Sequence, residues 1–423
     1  MKEKKINIVQ FVKENAIYLF ISGFLLISIY AKFMGVFNLI TGLPTQMVTY
    51  LYYGLLWLFL GIYVFYNYKK AFHNLVVVAG VVLLISGVQY IFYPENAKYI
   101  WNFELRSIIT FSSSAFLNTA LFITIGLAVE DRERFCNILH GFARFGIIAG
   151  VLTYILFALF SLSLNYDDMV YSYALCFLVC FLIAMSKKND FFFIIAGSVC
   201  MFISGTRGPI LCVIIALILK YFILEVNLAK IIAVVTASMA TVILMITGLL
   251  GLLINQFGEL LNAIGFTDLR IIDYINSGII TDSSGRDDIY AKVLEGVFEK
   301  PLFGYGLGGD RIILGSGGRY SHNIFLELFA SFGIIIGGVL IVLLAVMFLN
   351  SLYSKDRYLQ ILATTFFSAA VIKLFLSGSI IQSIELFMFI GIYIFARCNK
   401  MPDQIILKSD NKTERENQCA LRK

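Results

Sequence analysis

Long apolar runs alternate with short polar connections along most of the chain. The runs lie near 16–34, 46–66, 73–93, 107–129, 145–163, 169–186, 190–204, 208–224, 230–254, 323–350, 358–377 and 380–397. Most reach the about 17–25 residues that one helix needs to cross the hydrocarbon layer. No water is available there to satisfy backbone groups, so each run predicts a helix, twelve in all. The run at 190–204 is short, and its boundary with 208–224 is the least marked. All five prolines (Pro44, Pro94, Pro209, Pro301, Pro402) fall at run edges or in connections, where a missing N–H costs least.

One connection, 255–322, breaks the rhythm by its length, and long loops in compact proteins tend to be functional. Within it Ile289, Val293, Leu294, Val297 and Phe298 recur at helical spacing. Ser284 can cap such a helix, Asp287 and Asp288 suit its positive end, and Pro301 stops it. The stretch 255–275 is similarly amphipathic. The pattern predicts four parts: membrane helices in 1–254, a helical cap in 255–322, membrane helices in 323–397, and a polar tail at 398–423. The fold class is an all-α polytopic membrane protein.

Composition agrees. Of 423 residues 59% are hydrophobic and 14% charged, against about 45–50% and about 25% in soluble domains. Too few charges remain for a water-facing surface. Most Lys and Arg residues fall in alternate connections, including the pairs at 69–70, 187–188 and 355–357, which marks those connections as cytoplasmic. Both termini are then cytoplasmic, and 255–322 faces outward. The net charge of +6 reflects this bias rather than nucleic acid. No small-residue cleavage site follows the first run, so it reads as a retained anchor. The seven cysteines show neither a disulfide framework nor zinc spacing, and Cys176 and Cys180 are two residues on one helix face.

Candidate chemistry gathers on the expected outer side. His73 and His140 fall in expected cytoplasmic connections, which leaves His322 as the outward histidine, at the head of the tenth run where Ser321 or Asn323 can cap. A helix N-terminus favours neutral imidazole, available as a base. Taken alone, an interfacial histidine is more often a snorkelling polar residue. Arg207 stands in a tight SGTRGP turn between two runs, where a cation is costly unless it meets an anion or reaches a headgroup. Arg286 stands at the start of the amphipathic helix, a position that suits an anion or a solvated cap. Arg311 and Arg319 are vaguer helpers in the same stretch. Arginine forks match phosphate oxygens. A base beside them suits a hydroxyl nucleophile and a pyrophosphate leaving group, as in transfer of a lipid-linked sugar.

Other groups read more plainly. The glycines of PLFGYGLGGD (301–310) make a flexible turn that leaves backbone bare, without the Lys-Ser/Thr of a P-loop. Asp167-Asp168 and Asp287-Asp288 read as turns or caps rather than metal ligands. Lys373 and Glu385 flank the Ser377-Gly378-Ser379 turn, as a structural ion pair or as a polar wall of a substrate cavity.

SGTRGP (204–209), GRDDIYAKVLEGVFEKPLFGYGLG (285–308) and YSHNIFLELFASFGIIIGG (320–338) together resemble the O-antigen ligase and polysaccharide polymerase superfamily. The motifs cover about 203–340, and the span count and long outer loop extend the likeness. The resemblance implies a C-type glycosyltransferase-like bundle in the bacterial cytoplasmic membrane. It implies inverting, metal-independent transfer without a cofactor, from undecaprenyl-pyrophosphate-linked oligosaccharide to a glycan acceptor. Arg207 and Arg286 would hold pyrophosphate, and His322 would act as base or acceptor-positioning residue. Chain-length regulator and flippase are candidate partners. The leading expectation is a polymerase of surface polysaccharide repeats. A ligase acting on lipid A core or another acceptor is the alternative, and a lipid-linked glycan transporter or flippase is the alternative of another class. A transporter would show broken helices and midplane charges, which the sequence does not suggest.

Overall fold

The computed structural model describes residues 8–101, 115–160, 168–226 without Gly205, 286–315 and 320–399, with scattered positions between 228 and 263. Every element among them is helical. The helices are α1 (Ile8–Leu25), α2 (Ile27–Thr41), α3 (Gln46–Tyr66), α4 (Tyr68–Phe92), α5 (Ala97–Ile100), α6 (Ala115–Leu127), α7 (Arg132–Leu159) and α8 (Asp168–Met185). They continue as α9 (Phe191–Ile203), α10 (Arg207–Leu219), α11 (Arg286–Glu299), α12 (Gly309–Leu314), α13 (Ile324–Leu352), α14 (Arg357–Phe366), α15 (Ile372–Leu376) and α16 (Ile384–Cys398).

Six described helical segments are long and apolar enough to cross a membrane: Ile8–Leu25, Gln46–Tyr66, Tyr68–Phe92, Arg132–Leu159, Ile324–Leu352 and Arg357–Leu376. Shorter apolar helices occupy Ile27–Thr41, Ala115–Leu127, Met169–Met185 and Gly208–Leu224. The ninth expected run, 230–254, and the amphipathic stretch 255–275 lie almost wholly outside the described residues. Three expectations change. The first run is a longer helical stretch, α1 and α2, interrupted at Leu26. His73 lies inside α4 and His140 inside α7, not in connections. And α13 is broken at Gly333.

The core is aromatic and aliphatic. Phe20, Phe122, Phe135, Phe181, Phe366 and Phe389 are fully buried within one cluster that runs through α1, α6, α7, α8, α14 and α16. Glycine sets its closest contact. A Cβ on Gly126 of α6 would strike the Met388 carbonyl of α16, and one on Gly391 would strike the Ile123 carbonyl. Small residues let two membrane helices touch backbone to backbone, where dispersion replaces the hydrophobic effect that lipid cannot supply.

Charged residues separate to two ends of the bundle. At one end Arg132 meets Asp356 at 2.6 Å, Lys70 meets Glu130 at 2.8 Å, and Arg134 meets Glu14 at 3.4 Å. There too Asp190 accepts from Arg144 at 2.6 Å and faces His140 Nε2 at 2.9 Å. The other end holds the residues after α4, helices α11 and α12, the head of α13 and the turn after α15. Tyr93 donates to the Phe303 carbonyl at 3.2 Å, and Asn96 donates to the Tyr305 carbonyl at 2.7 Å. The two halves of the sequence are thereby tied together at that end.

Candidate functional site

The break in α13 organises this end. Gly333 takes φ 75° and ψ 172°, which splits the helix after its first turns. A break within an apolar helix leaves backbone groups that must find partners. The glycine segment supplies them: the Tyr305 N–H donates to Ala330 O at 2.8 Å, and the Ile334 N–H donates to Pro301 O at 2.7 Å. The approach is close enough to require glycine on both sides. A Cβ on Gly304 would lie 2.6 Å from Ala330 O, and one on Gly333 would lie 2.7 Å from Pro301 O. The bare backbone of PLFGYGLGGD thus faces another stretch of backbone.

Helix α11 packs beneath this joint. Val293 and Val297 are buried with Ala330, and Gly296 leaves room for Ile313 of α12. Leu294 and Phe298, expected on the same apolar face, are 44% and 66% exposed and point away from the bundle. The helix therefore covers the bundle with one apolar strip and presents a second outward.

Four elements meet in a buried polar cluster. Arg311 Nη1 donates to Asp310 Oδ1 at 3.2 Å and to Glu327 Oε1 at 3.4 Å, and its Nη2 donates to Ser379 Oγ at 2.8 Å. Ser379 Oγ donates to Glu327 Oε1 at 2.5 Å, and the Ile380 N–H donates to Glu327 Oε2 at 2.8 Å. Asp310 Oδ2 accepts from the Ser321 N–H at 2.7 Å. Asp310 and Glu327 are fully buried, and the Arg311 guanidinium also lies over the Tyr99 and Tyr320 rings. Charges so placed hold only as a paired, hydrogen-bonded set. Arg311 is therefore engaged in joining α12, α13 and the turn after α15.

His322 follows directly from that anchor. Ser321 is held by Asp310, and the Asn323 side chain caps α13 by accepting from the Phe325 and Leu326 N–H groups. Between them His322 takes φ 51°, a left-handed conformation costly for a residue with a Cβ. Its ring lies 3.9 Å, centroid to centroid, from Tyr320, whose hydroxyl donates to Ser377 O at 3.1 Å. Its Nδ1 is buried with no hydrogen-bond partner. Burial, and next the Arg286 guanidinium, lower the His322 pKa from the usual imidazole value, against an upward pull from a hydrogen bond with the Ser377 backbone. Neutral imidazole is thus favoured.

Arg286 reaches the same turn from α11, where its Nη1 donates to the Leu376 carbonyl. Arg207 opens α10. Its side chain lies outside the described residues, as does all of Arg319. The neighbouring backbone is placed: a Cβ on Gly208 would collide with the Tyr173 hydroxyl and lie 3.6 Å from a Leu376 methyl. The heads of α10, α11 and α13 therefore converge on the Leu376–Ser377 turn. Lys373 and Glu385 flank it, with Nζ and Oε1 3.5 Å apart, and Lys373 also lies over the Tyr173 ring. Among the described residues no three His, Cys, Asp or Glu side chains gather as metal ligands.

Sequence reasoning missed Asp310, Glu327, Ser379, Tyr173 and Tyr320. Glu327 carried a usable signal, as the one carboxylate inside the apolar run 323–350. The others become visible only through the fold.

A family model described as O-Antigen ligase matches residues 191–342. No curated protein matches the chain. The matched span includes Arg207, Arg286, Asp310, Arg311, His322 and Glu327, whereas Ser379 and the Leu376–Ser377 turn lie beyond it. Over residues 191–342, the chain is similar to the O-antigen ligase family.

Proposed function

We propose that the protein is a membrane glycosyltransferase that polymerises undecaprenyl-pyrophosphate-linked oligosaccharide repeats into surface polysaccharide at the outer face of the cytoplasmic membrane. The observation that carries this reading is His322, held in left-handed backbone with a buried, unpartnered Nδ1 and hydrogen-bonded to the same Leu376–Ser377 turn that Arg286 bonds. An uncommitted imidazole nitrogen in a strained setting suits proton transfer better than structural support. In the reaction, an acceptor hydroxyl attacks the anomeric carbon of the donor. The bond from that carbon to the pyrophosphate oxygen breaks on the opposite face, with inversion. His322 takes the hydroxyl proton, and Arg207 and Arg286 hold the departing lipid pyrophosphate. No metal takes part in this scheme.

A ligase that delivers finished glycan to lipid A core would use the same donor groups and differs only in its acceptor. A transporter would share one feature, the helix break at Gly333. Here the freed backbone groups bond to residues 301–305 instead of facing a substrate path. The test is His322→Ala in cells. Loss of polymer with lipid-linked single repeats accumulating outside supports the proposal. Accumulation inside indicates a flippase, and unchanged polymer refutes the role of His322.

A further inference from the structure

At the ionic end of the bundle, a cavity of about 370 Å³ lies between α1, α3, α4 and α6. That is within the range of about 300–1,000 Å³ typical of ligand pockets. Its wall includes Ile17, Trp57, Phe72 and Leu121, with Tyr63 and Thr124 as polar members. The Tyr63 hydroxyl oxygen is buried and has no hydrogen-bond partner. Phe72 on the rim is 67% exposed. Helix α4 runs 25 residues from this cavity to the Tyr93 end, a length of about 37 Å at about 1.5 Å per residue. The cavity is thus remote from His322.

Cations sit at its mouth. Lys13 lies one helical turn from Ile17, with its Nζ 4.1 Å from the Tyr66 ring centre, and Lys69 Nζ lies 5.9 Å from the ring centre of Tyr68, another wall residue. Two nearby carboxylates are already taken, Glu130 by Lys70 and Glu14 by Arg134. Among the described residues Lys13 and Lys69 form no ion pair.

An apolar slot, a buried hydroxyl without a partner in its wall, and two cations beside neighbouring tyrosines match one glycerophospholipid with an anionic headgroup. We infer that such a lipid binds here, with an acyl chain in the slot, an ester carbonyl accepting from Tyr63, and its phosphate beside Lys13 and Lys69. Lysines near a membrane surface attract anionic lipid, and the slot adds the shape that makes the attraction local. This inference stands independently of the proposed reaction.

The test is native mass spectrometry of the full chain, released from nanodiscs that contain equal phosphatidylglycerol and phosphatidylcholine. Phosphatidylglycerol should be retained preferentially. At roughly five-fold per lysine, the double variant Lys13→Gln, Lys69→Gln should lower that preference about 25-fold, whereas Lys13→Arg, Lys69→Arg keeps it. Thr124→Phe, which fills the slot, should release the retained lipid regardless of headgroup. Equal retention of both lipids by the unaltered protein, an unchanged preference in the Gln variant, or lipid kept by Thr124→Phe would overturn the inference. So would a second copy of the chain held in place of lipid, visible as a dimer.

Discussion

Replacing Gly333 by alanine tests how the site end is built. The new Cβ would sit at φ 75°, against the Leu302 carbonyl and 2.7 Å from Pro301 O. Left-handed backbone costs about 1–2 kcal/mol. Forcing atoms into a closed contact adds about 1–3 kcal/mol. Separating the loop from the helix forfeits the Tyr305–Ala330 and Ile334–Pro301 bonds, each about 0.5–1.5 kcal/mol. These costs overlap, and together they give about 3–6 kcal/mol. An internal control lies five residues on. Gly338 is helical with nothing within 4 Å of its Cβ position, so Gly338→Ala should gain about 0.5–1 kcal/mol. Thermal unfolding in detergent can be followed with a thiol-reactive dye. Cys136, Cys176, Cys180, Cys200 and Cys212 are buried and become reactive on unfolding, while exposed Cys398 sets the baseline. Gly333→Ala should melt well below the unaltered protein and Gly338→Ala at or above it. Equal midpoints for the two variants would refute the docked-backbone account.

Removing Arg311 by Arg311→Met leaves Asp310 and Glu327 buried without their cation, at about 3–5 kcal/mol. Neutralising all three together should recover most of that loss, measured in the same unfolding assay, whereas an equally unstable triple variant would argue against the charge cluster. Lys373→Met should cost under about 1 kcal/mol, because its ion pair with Glu385 is partly solvated. A much larger loss would show that the pair is structural. Because burial and Arg286 hold the His322 pKa down, the imidazole stays neutral to a pH below the usual histidine value of about 6.5. Transfer should therefore persist at mildly acidic pH and fail as pH drops through the lowered value. In Arg286→Gln the residual rate should fail at higher pH, since a repelling cation is gone. An acid limb that does not move would count against their proximity.

The all-helical architecture follows from the apolar runs, and α11 was placed by its spacing and by Pro301. What the runs could not show is where a helix breaks or bends. Gly333 sits in a stretch of uniform hydrophobicity, and only the docking of residues 301–305 distinguishes it from Gly338. The tie between Tyr93–Asn96 and Phe303–Tyr305 joins residues about two hundred positions apart, and no local pattern encodes it. At the site, His322, Arg286 and Arg207 stood out because polar residues at the edge of apolar runs need a reason. Asp310 and Ser379 did not, because their roles depend on Arg311 being buried between them. Arg311 itself reads in the sequence as a vague helper of the site, and the structure pairs it with Asp310 and Glu327.

Reconstitution in proteoliposomes with purified lipid-pyrophosphate-linked oligosaccharide, in the presence of EDTA, probes the central claim most directly. The unaltered protein should release lipid pyrophosphate and extend the glycan, while Arg207→Gln, Arg286→Gln and His322→Ala each lose turnover by tenfold or more, about 1.4 kcal/mol per decade of transition-state stabilisation. Abolition of the unaltered protein's activity by EDTA, or full turnover in His322→Ala, would contradict the account.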